Sequence, residues 1–420
     1  MDTLLTVGVL MALTALFGVL NERYLRWQSS IGLMFLALLM MSVLAALKSV
    51  GVIEGFTWTR TLVETLDLSD VLLNGVLCFM LFAGSTGVRV SLLRKNEWPI
   101  LSLAIGSTII ACLVTGALLS MVFGWFGVDL PLAYAFVFGA LISPTDPIAA
   151  LAILKSAGLP QRLETMINGE SLFNDGVGVV LFTLALTHAQ GSEESTPATV
   201  LFLREVLGGV GLGLAVGFAT HWLLLRTNAY VNQLLITLAT VSLGYGVALV
   251  VDVSGPIAMV VAGLFVGNVT VPRLTEETLA PLSDFWDGID GMLNSMLFVM
   301  MGLTVVLVHN LDRAPLMVVI PIAIMACLLA RAVSVYLPVA ALNATQVFEA
   351  DTIGLTKLLT WAGLRGGLAL ALALSLPQSD YKPLIVNMTF GVVAFSVLVQ
   401  GSTIAKLFSL DYLKGLLRGG

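Results

Sequence analysis

ISPTDPIAALAILKSAGLPQRLETMINGESLFNDGVGVV, residues 142–180, decides how this chain folds. Ser143-Pro144-Thr145-Asp146-Pro147 lies inside an apolar stretch, where a carboxylate enclosed by prolines does not belong in an ordinary membrane helix. Pro144 and Pro147 bring no backbone donors and clash with a continuous helix, so the chain is expected to unwind there. Carbonyls near Ala140, Ser143 and Thr145 then need a cation, a water or a side chain. The next apolar stretch carries Glu170-Ser171-Leu172-Phe173-Asn174-Asp175. Charges at membrane depth are costly and point to function. A purely structural proline kink is the bland reading, and the enclosed Asp146 argues against it.

The composition around this stretch agrees. Of 420 residues, 58% are hydrophobic and 11% charged, against about 25% charged in soluble domains. The chain reads as an all-α polytopic membrane protein. Its net charge of −6 shows no basic patch of the kind that binds nucleic acid. Cys78, Cys112 and Cys327 are well separated in apolar stretches, so neither disulfide nor metal is inferred. The first twenty or so residues resemble a signal h-region but lack a positive n-region; Arg23 and Arg26 suit the inner end of a retained helix.

Apolar runs place roughly thirteen spans, at about 3–21, 30–50, 68–88, 97–126, 131–154, 161–188, 199–226, 230–251, 255–270, 282–309, 314–342, 354–376 and 383–408. Arg23, Arg26, Arg89, Arg94, Lys95 and Arg162, among others, then fall inside, and Lys48, Arg60, Arg204, Arg313 and Lys382 outside. This bias sets the N-terminus outside and the C-terminus in the cytoplasm of a multi-pass inner-membrane protein. Only a short cytosolic tail, 409–420, is expected to follow. If spans one to six and eight to thirteen are two units, their topology is inverted, and the fifth member of each is interrupted. In the first it holds Pro144–Pro147, and in the second Gly363-Leu364-Arg365-Gly366-Gly367.

Helical geometry sorts the carboxylates. At about 100° per residue, Ser171 and Asp175 share one face, and Glu170 and Asn174 a neighbouring one. Ser171 and Asp175 are assigned to the face meeting Asp146. Glu170 is assigned to a packed face where it needs a cationic partner. Arg331 and Arg365 are both at membrane depth; one is expected to pair with Glu170 and the other to neutralise helix ends or acidic charge, and the sequence leaves open which. Asp146 and Asp175 would hold protons when protons are abundant and a cation when they are not. If only loaded forms cross, exchange is obligatory.

Other features have two readings. Asp284, Asp287 and Asp290 recur at the start of the tenth span, as an acidic funnel for cations or as a solvated helix end. Gly208, Gly209, Gly211, Gly213 and Gly217 suit close helix packing, with a gate as the alternative. His188, His221 and His309 lie near span ends and read as interfacial, with pH sensing a second role for His188.

These motifs closely resemble the monovalent cation–proton antiporters of the NhaP type, bacterial relatives of the sodium/proton exchangers. SerProThrAspPro, GlyGluSerLeuPheAsnAspGlyValGlyValValLeuPhe, the arginine of AlaArgAla and GlyLeuArgGlyGly carry the resemblance, which covers nearly the whole chain. It implies a Na+/H+ antiporter, extending to Li+, with no cofactor besides the transported ions. The ion would sit on Asp146, Asp175, Ser171 and the carbonyl of Thr145, with Glu170 paired to Arg331. Asn174 before Asp175 resembles the electroneutral branch. The implied fold has interrupted helices crossing near the midplane. It is a homodimer with a scaffold at 1–90 and 228–312, a transporting core at 97–190 and 313–408, and a linker helix at 199–226. Potassium or broad-range exchange is the alternative within transport. An intramembrane aspartyl protease lacks its Gly-x-Gly-Asp motif here, a channel fits tight coupling poorly, and an ATP-driven pump would need a phosphate-binding loop that the sequence does not contain.

Overall fold

The computed structural model describes residues 3–51, 71–156, 158–191, 197–304, 313–346, 348, 350–408 and 410–416. Arg60, His309 and the outer ends of the third and tenth expected spans lie outside them. The regular structure is helical throughout the described residues. The first half comprises α1 (Leu4–Leu25), α2 (Ser29–Lys48), α3 (Val71–Thr86), α4 (Val90–Lys95), α5 (Glu97–Phe126), α6 (Leu132–Ile142), α7 (Ile148–Ser156) and α8 (Gln161–Ala189). The remainder comprises α9 (Ala198–Leu224), α10 (Tyr230–Val250), α11 (Gly255–Arg273), α12 (Glu276–Leu303), α13 (Arg313–Ala344), α14 (Thr352–Ala362), α15 (Gly367–Ser375), α16 (Lys382–Leu407) and α17 (Leu410–Gly415).

Each expected stretch meets helix, but the length rule is stricter than the count it suggested. Among the described residues nine helices are long and apolar enough to cross a bilayer, and ten if α14 and α15 form one span. Three stretches make the difference. α3 is short, the stretch at 131–154 is split into α6 and α7, and α12 carries Asp284, Asp287 and Asp290 in its first half. The run at 255–270, the least regular by length, is continuous helix to Arg273 through a wide turn at Val266–Thr270.

Packing follows small residues and apolar faces. α2 lies on α12, and α3 and α9 on α11; α5 lies against α6 and α13, α8 on α6, and α15 on α16. The glycine run of α9 is a packing device. A Cβ at Gly209 would come 2.8 Å from the Ser254 carbonyl, and one at Gly217 3.0 Å from Phe265, so α9 approaches α11 closely. Gly211 alone of the run meets no neighbour. Leu203, Leu207 and Phe218, on the same helix, are exposed. In a chain of this composition such residues form the surface that meets lipid acyl chains.

Two further features add to the expectation. His221 is buried, not interfacial: its Nδ1 lies 3.0 Å from Thr270 Oγ1 and its Nε2 3.2 Å from Arg273 Nη1, tying α9 to α11. The tail is docked. Leu413 and Leu416 are buried, and the Leu416 carbonyl accepts from the Asp351 N–H at 2.8 Å, at the N-terminus of α14.

Candidate functional site

Two broken helices meet at one place. α6 ends at Ile142 and α7 begins at Ile148; α14 ends at Ala362 and α15 begins at Gly367, with a bend of 59°. The Asp146 N–H donates to the Leu364 carbonyl at 2.8 Å, joining the two unwound segments through their backbones. A Cβ on Gly366 would lie 2.6 Å from the Asp146 Cβ, so only glycine lets the segments approach this closely.

The carbonyls freed by the prolines find partners, as an apolar surround requires. Arg365 Nη1 donates to the Ser143 carbonyl at 2.5 Å and the Pro144 carbonyl at 3.1 Å. A guanidinium thus sits at the C-terminal end of α6, where the helix dipole is negative. The Arg365 N–H itself donates to Ser396 Oγ at 2.8 Å, at a wide turn of α16. The Thr145 carbonyl accepts from Ser171 Oγ at 2.8 Å, and the Thr145 hydroxyl from Asn174 Nδ2 at 2.9 Å. Asp146 Oδ1 accepts from the Ile148 N–H at 2.9 Å, at the positive end of α7.

The carboxylates separate by face as helical spacing suggested. Asp146, Ser171 and Asp175 line a cavity of ≈ 250 Å³, together with Thr145, Asn168 and Gly366. Glu170 and Asn174 are buried outside that lining. Glu170 Oε1 lies 2.5 Å from Arg331 Nη2, with both side chains under 5% exposed (4% and 3%). Arg331 also donates to Ser107 Oγ at 3.2 Å and to the Leu359 carbonyl at 3.4 Å. The choice between arginines is thereby made: Arg331 faces Glu170, and Arg365 faces the end of α6.

The acidic triplet of α12 does not act as one group. Asp284 and Asp287 are exposed and outside the cavity lining, whereas Asp290 is half-buried and lines it. Sequence reasoning also passed over Asn168, Ser107, Ser396 and the Leu364 carbonyl. Asn168 carried a usable signal, a polar residue one turn before Ser171 on the same apolar helix.

The oxygen set is hard: two carboxylates, a hydroxyl and a backbone carbonyl. Ser171 spends its proton on the Thr145 carbonyl, which leaves its lone pairs for a cation. Such donors suit a small alkali cation and not a soft metal. The two carboxylates can carry protons instead. The cavity can thus hold either ligand on the same atoms.

A sequence model of the family described as "Sodium/hydrogen exchanger, transmembrane" matches residues 12–410. The chain is 39% identical to the Na+/H+ antiporter NhaP of Pseudomonas aeruginosa over 97% of its own length and 96% of that protein. It is 35% identical to the Na+/H+ antiporter NhaH of Halobacillus dabanensis, over 75% of this chain and 76% of that one. Its fold superposes on the sodium proton antiporter MjNhaP1 of Methanocaldococcus jannaschii, at pH 8, with a TM-score of 0.76. That match covers 98% of this chain and 100% of the other at 21% identity.

Proposed function

The chain belongs to the sodium/hydrogen exchanger family, and we propose that its Na+/H+ exchange runs through Asp146 and Asp175, electroneutrally, with Li+ accepted on the same oxygens. The single observation that carries this reading is the cavity that brings both carboxylates and Ser171 together behind two broken helices. A proton and a cation that need the same carboxylates cannot bind together, so each loaded form excludes the other. Thr145 offers its carbonyl to the ion, and Asn174 holds the Thr145 hydroxyl. Glu170, Arg331 and Arg365 carry no ion; they hold the unwound segments where the ion needs them.

Alternating access follows from the way the helices group. We assign 97–190 and 313–408 to a moving core, 1–90 and 228–312 to a scaffold, and 199–226 to the linker between the two inverted units. Small-residue contacts between α9 and α11 suit a linker helix packed closely on the scaffold. The scaffold is assigned to a homodimer in the inner membrane, with the N-terminus outside and the C-terminus in the cytoplasm. The positive-inside distribution supports that orientation.

Sealed proteoliposomes with an acid interior test the reading. Sodium, lithium or potassium is added outside, and luminal pH is followed with and without clamped voltage. Alkalinisation driven by sodium and lithium, insensitive to voltage and absent in folded Asp146→Asn and Asp175→Asn, is expected. Voltage-dependent exchange would overturn electroneutrality. Full activity in either variant would remove that residue from the ion site.

A further inference from the structure

Among the described residues three carboxylates line the cavity, Asp146, Asp175 and Asp290, and no lysine, arginine or histidine does. Asp290 comes from the opposite wall. That wall is built by α3 and α12 and is otherwise apolar, with Leu72, Val76, Met80 and Leu297 among its residues. Asp290 is half-buried, and among the described residues no cationic side chain forms an ion pair with it. It shares that cavity with Asp146 and Asp175, and Asn294 follows one turn further along α12. Asn294 is itself only 6% exposed, and its Oδ1 has no hydrogen-bond partner among the described residues. A half-buried carboxylate without an ion-pair partner among the described residues, sharing a cavity with two others, is an unusual expense for a structural role alone.

We propose that Asp290 is a further contact for the transported cation, made from the wall facing Asp146 and Asp175; this rests on the exchange reading above. The cavity of ≈ 250 Å³ has room for about eight waters at about 30 Å³ each. A cation can therefore meet Asp290 while still hydrated, through water, and shed that water only between Asp146 and Asp175. Such a contact governs capture. It leaves the crossing of the loaded core unchanged, because the carboxylate stays on its own wall. It also differs from steering by Asp284 and Asp287, whose exposed charges are screened over roughly 8 Å in physiological salt.

The test measures initial exchange rates in proteoliposomes against sodium concentration, at low ionic strength and with choline chloride added. Asp290→Asn is expected to raise KM for sodium between about threefold and tenfold, with the maximal rate within about twofold of wild type. The shift is expected to persist in choline chloride, and Asp290→Glu is expected to return KM toward wild type. An unchanged KM in Asp290→Asn overturns the proposal. So does a shift that choline abolishes and that Asp284→Asn with Asp287→Asn reproduces, or a fall in maximal rate at constant KM. Should Asp290→Asn not fold, Asp290→Ser, which leaves room for water, is read by the same criteria. Wild-type protein without exchange would refute the exchange reading instead.

Discussion

The backbone N–H of Asp146 donates to the carbonyl of Leu364 at 2.8 Å, so each broken helix completes the other. The ion carboxylate and the crossing point are therefore one structure. Arg365, next in the chain to Leu364, reaches back to the carbonyls of Ser143 and Pro144. Each unwound segment supplies a group that the other's freed backbone lacks. The pair moves as one body or loses several buried hydrogen bonds at once.

Gly366 sets how close that crossing is. A Cβ there would lie 2.6 Å from the Asp146 Cβ and 2.7 Å from its Oδ2. Gly366→Ala must push the carboxylate away, which costs about 1–3 kcal/mol by overpacking. Exchange is expected to fall at least about tenfold, because a displacement well under an ångström is enough to spoil a coordinating oxygen. The protein should still purify as a folded species, and transport rates compared with thermal melting of the purified variant separate the two effects.

Glu170 and Arg331 form a buried pair at 2.5 Å. Removing one partner strands the other charge, a loss of about 3–5 kcal/mol. Glu170→Ala is expected to lower the melting temperature sharply, and Glu170→Arg combined with Arg331→Glu to recover part of it. Thermal unfolding in detergent checks this. No recovery in the swap would count against the pair as a stabilising unit.

Arg365 joins charge to geometry. Arg365→Ala leaves the Ser143 and Pro144 carbonyls without their donor, at about 1–3 kcal/mol each. Arg365→Lys keeps the charge but not the planar fork. The lysine variant is expected to regain stability over the alanine variant while exchanging at least about tenfold more slowly than wild type. Equal exchange in the lysine variant and the wild type would show that charge alone suffices.

Much of the site was legible because charge at membrane depth is conspicuous. Asp146 between prolines is conspicuous by itself, and helical spacing from Glu170 to Asp175 puts Asp175 with Ser171 on one face and Glu170 with Asn174 on another without any structure. The partner of Glu170 was not legible from the residues alone. Arg331 and Arg365 have similar surroundings in sequence, and the assignment depends on how α13 and α14 pass α8. The triplet Asp284, Asp287 and Asp290 looked uniform in sequence, but three-residue spacing drifts around a helix, and the packing of α12 against α3 brings Asp290 to the cavity. His221 reads as an end-of-span residue until Thr270 and Arg273 meet it from α11. The helix α12 falls short of the stricter hydropathy rule because its N-terminal part carries Asp284, Asp287 and Asp290.

The measurement closest to the central claim is the sodium dependence of exchange at a series of pH values, taken from initial rates in proteoliposomes at fixed voltage. If protons and sodium compete for Asp146 and Asp175, acidification raises KM for sodium. The rise is about tenfold per pH unit for each proton that must leave, while the maximal rate at saturating sodium stays constant. A maximal rate that falls with acidification while KM holds still would contradict it, because protons and sodium would then be acting at separate sites.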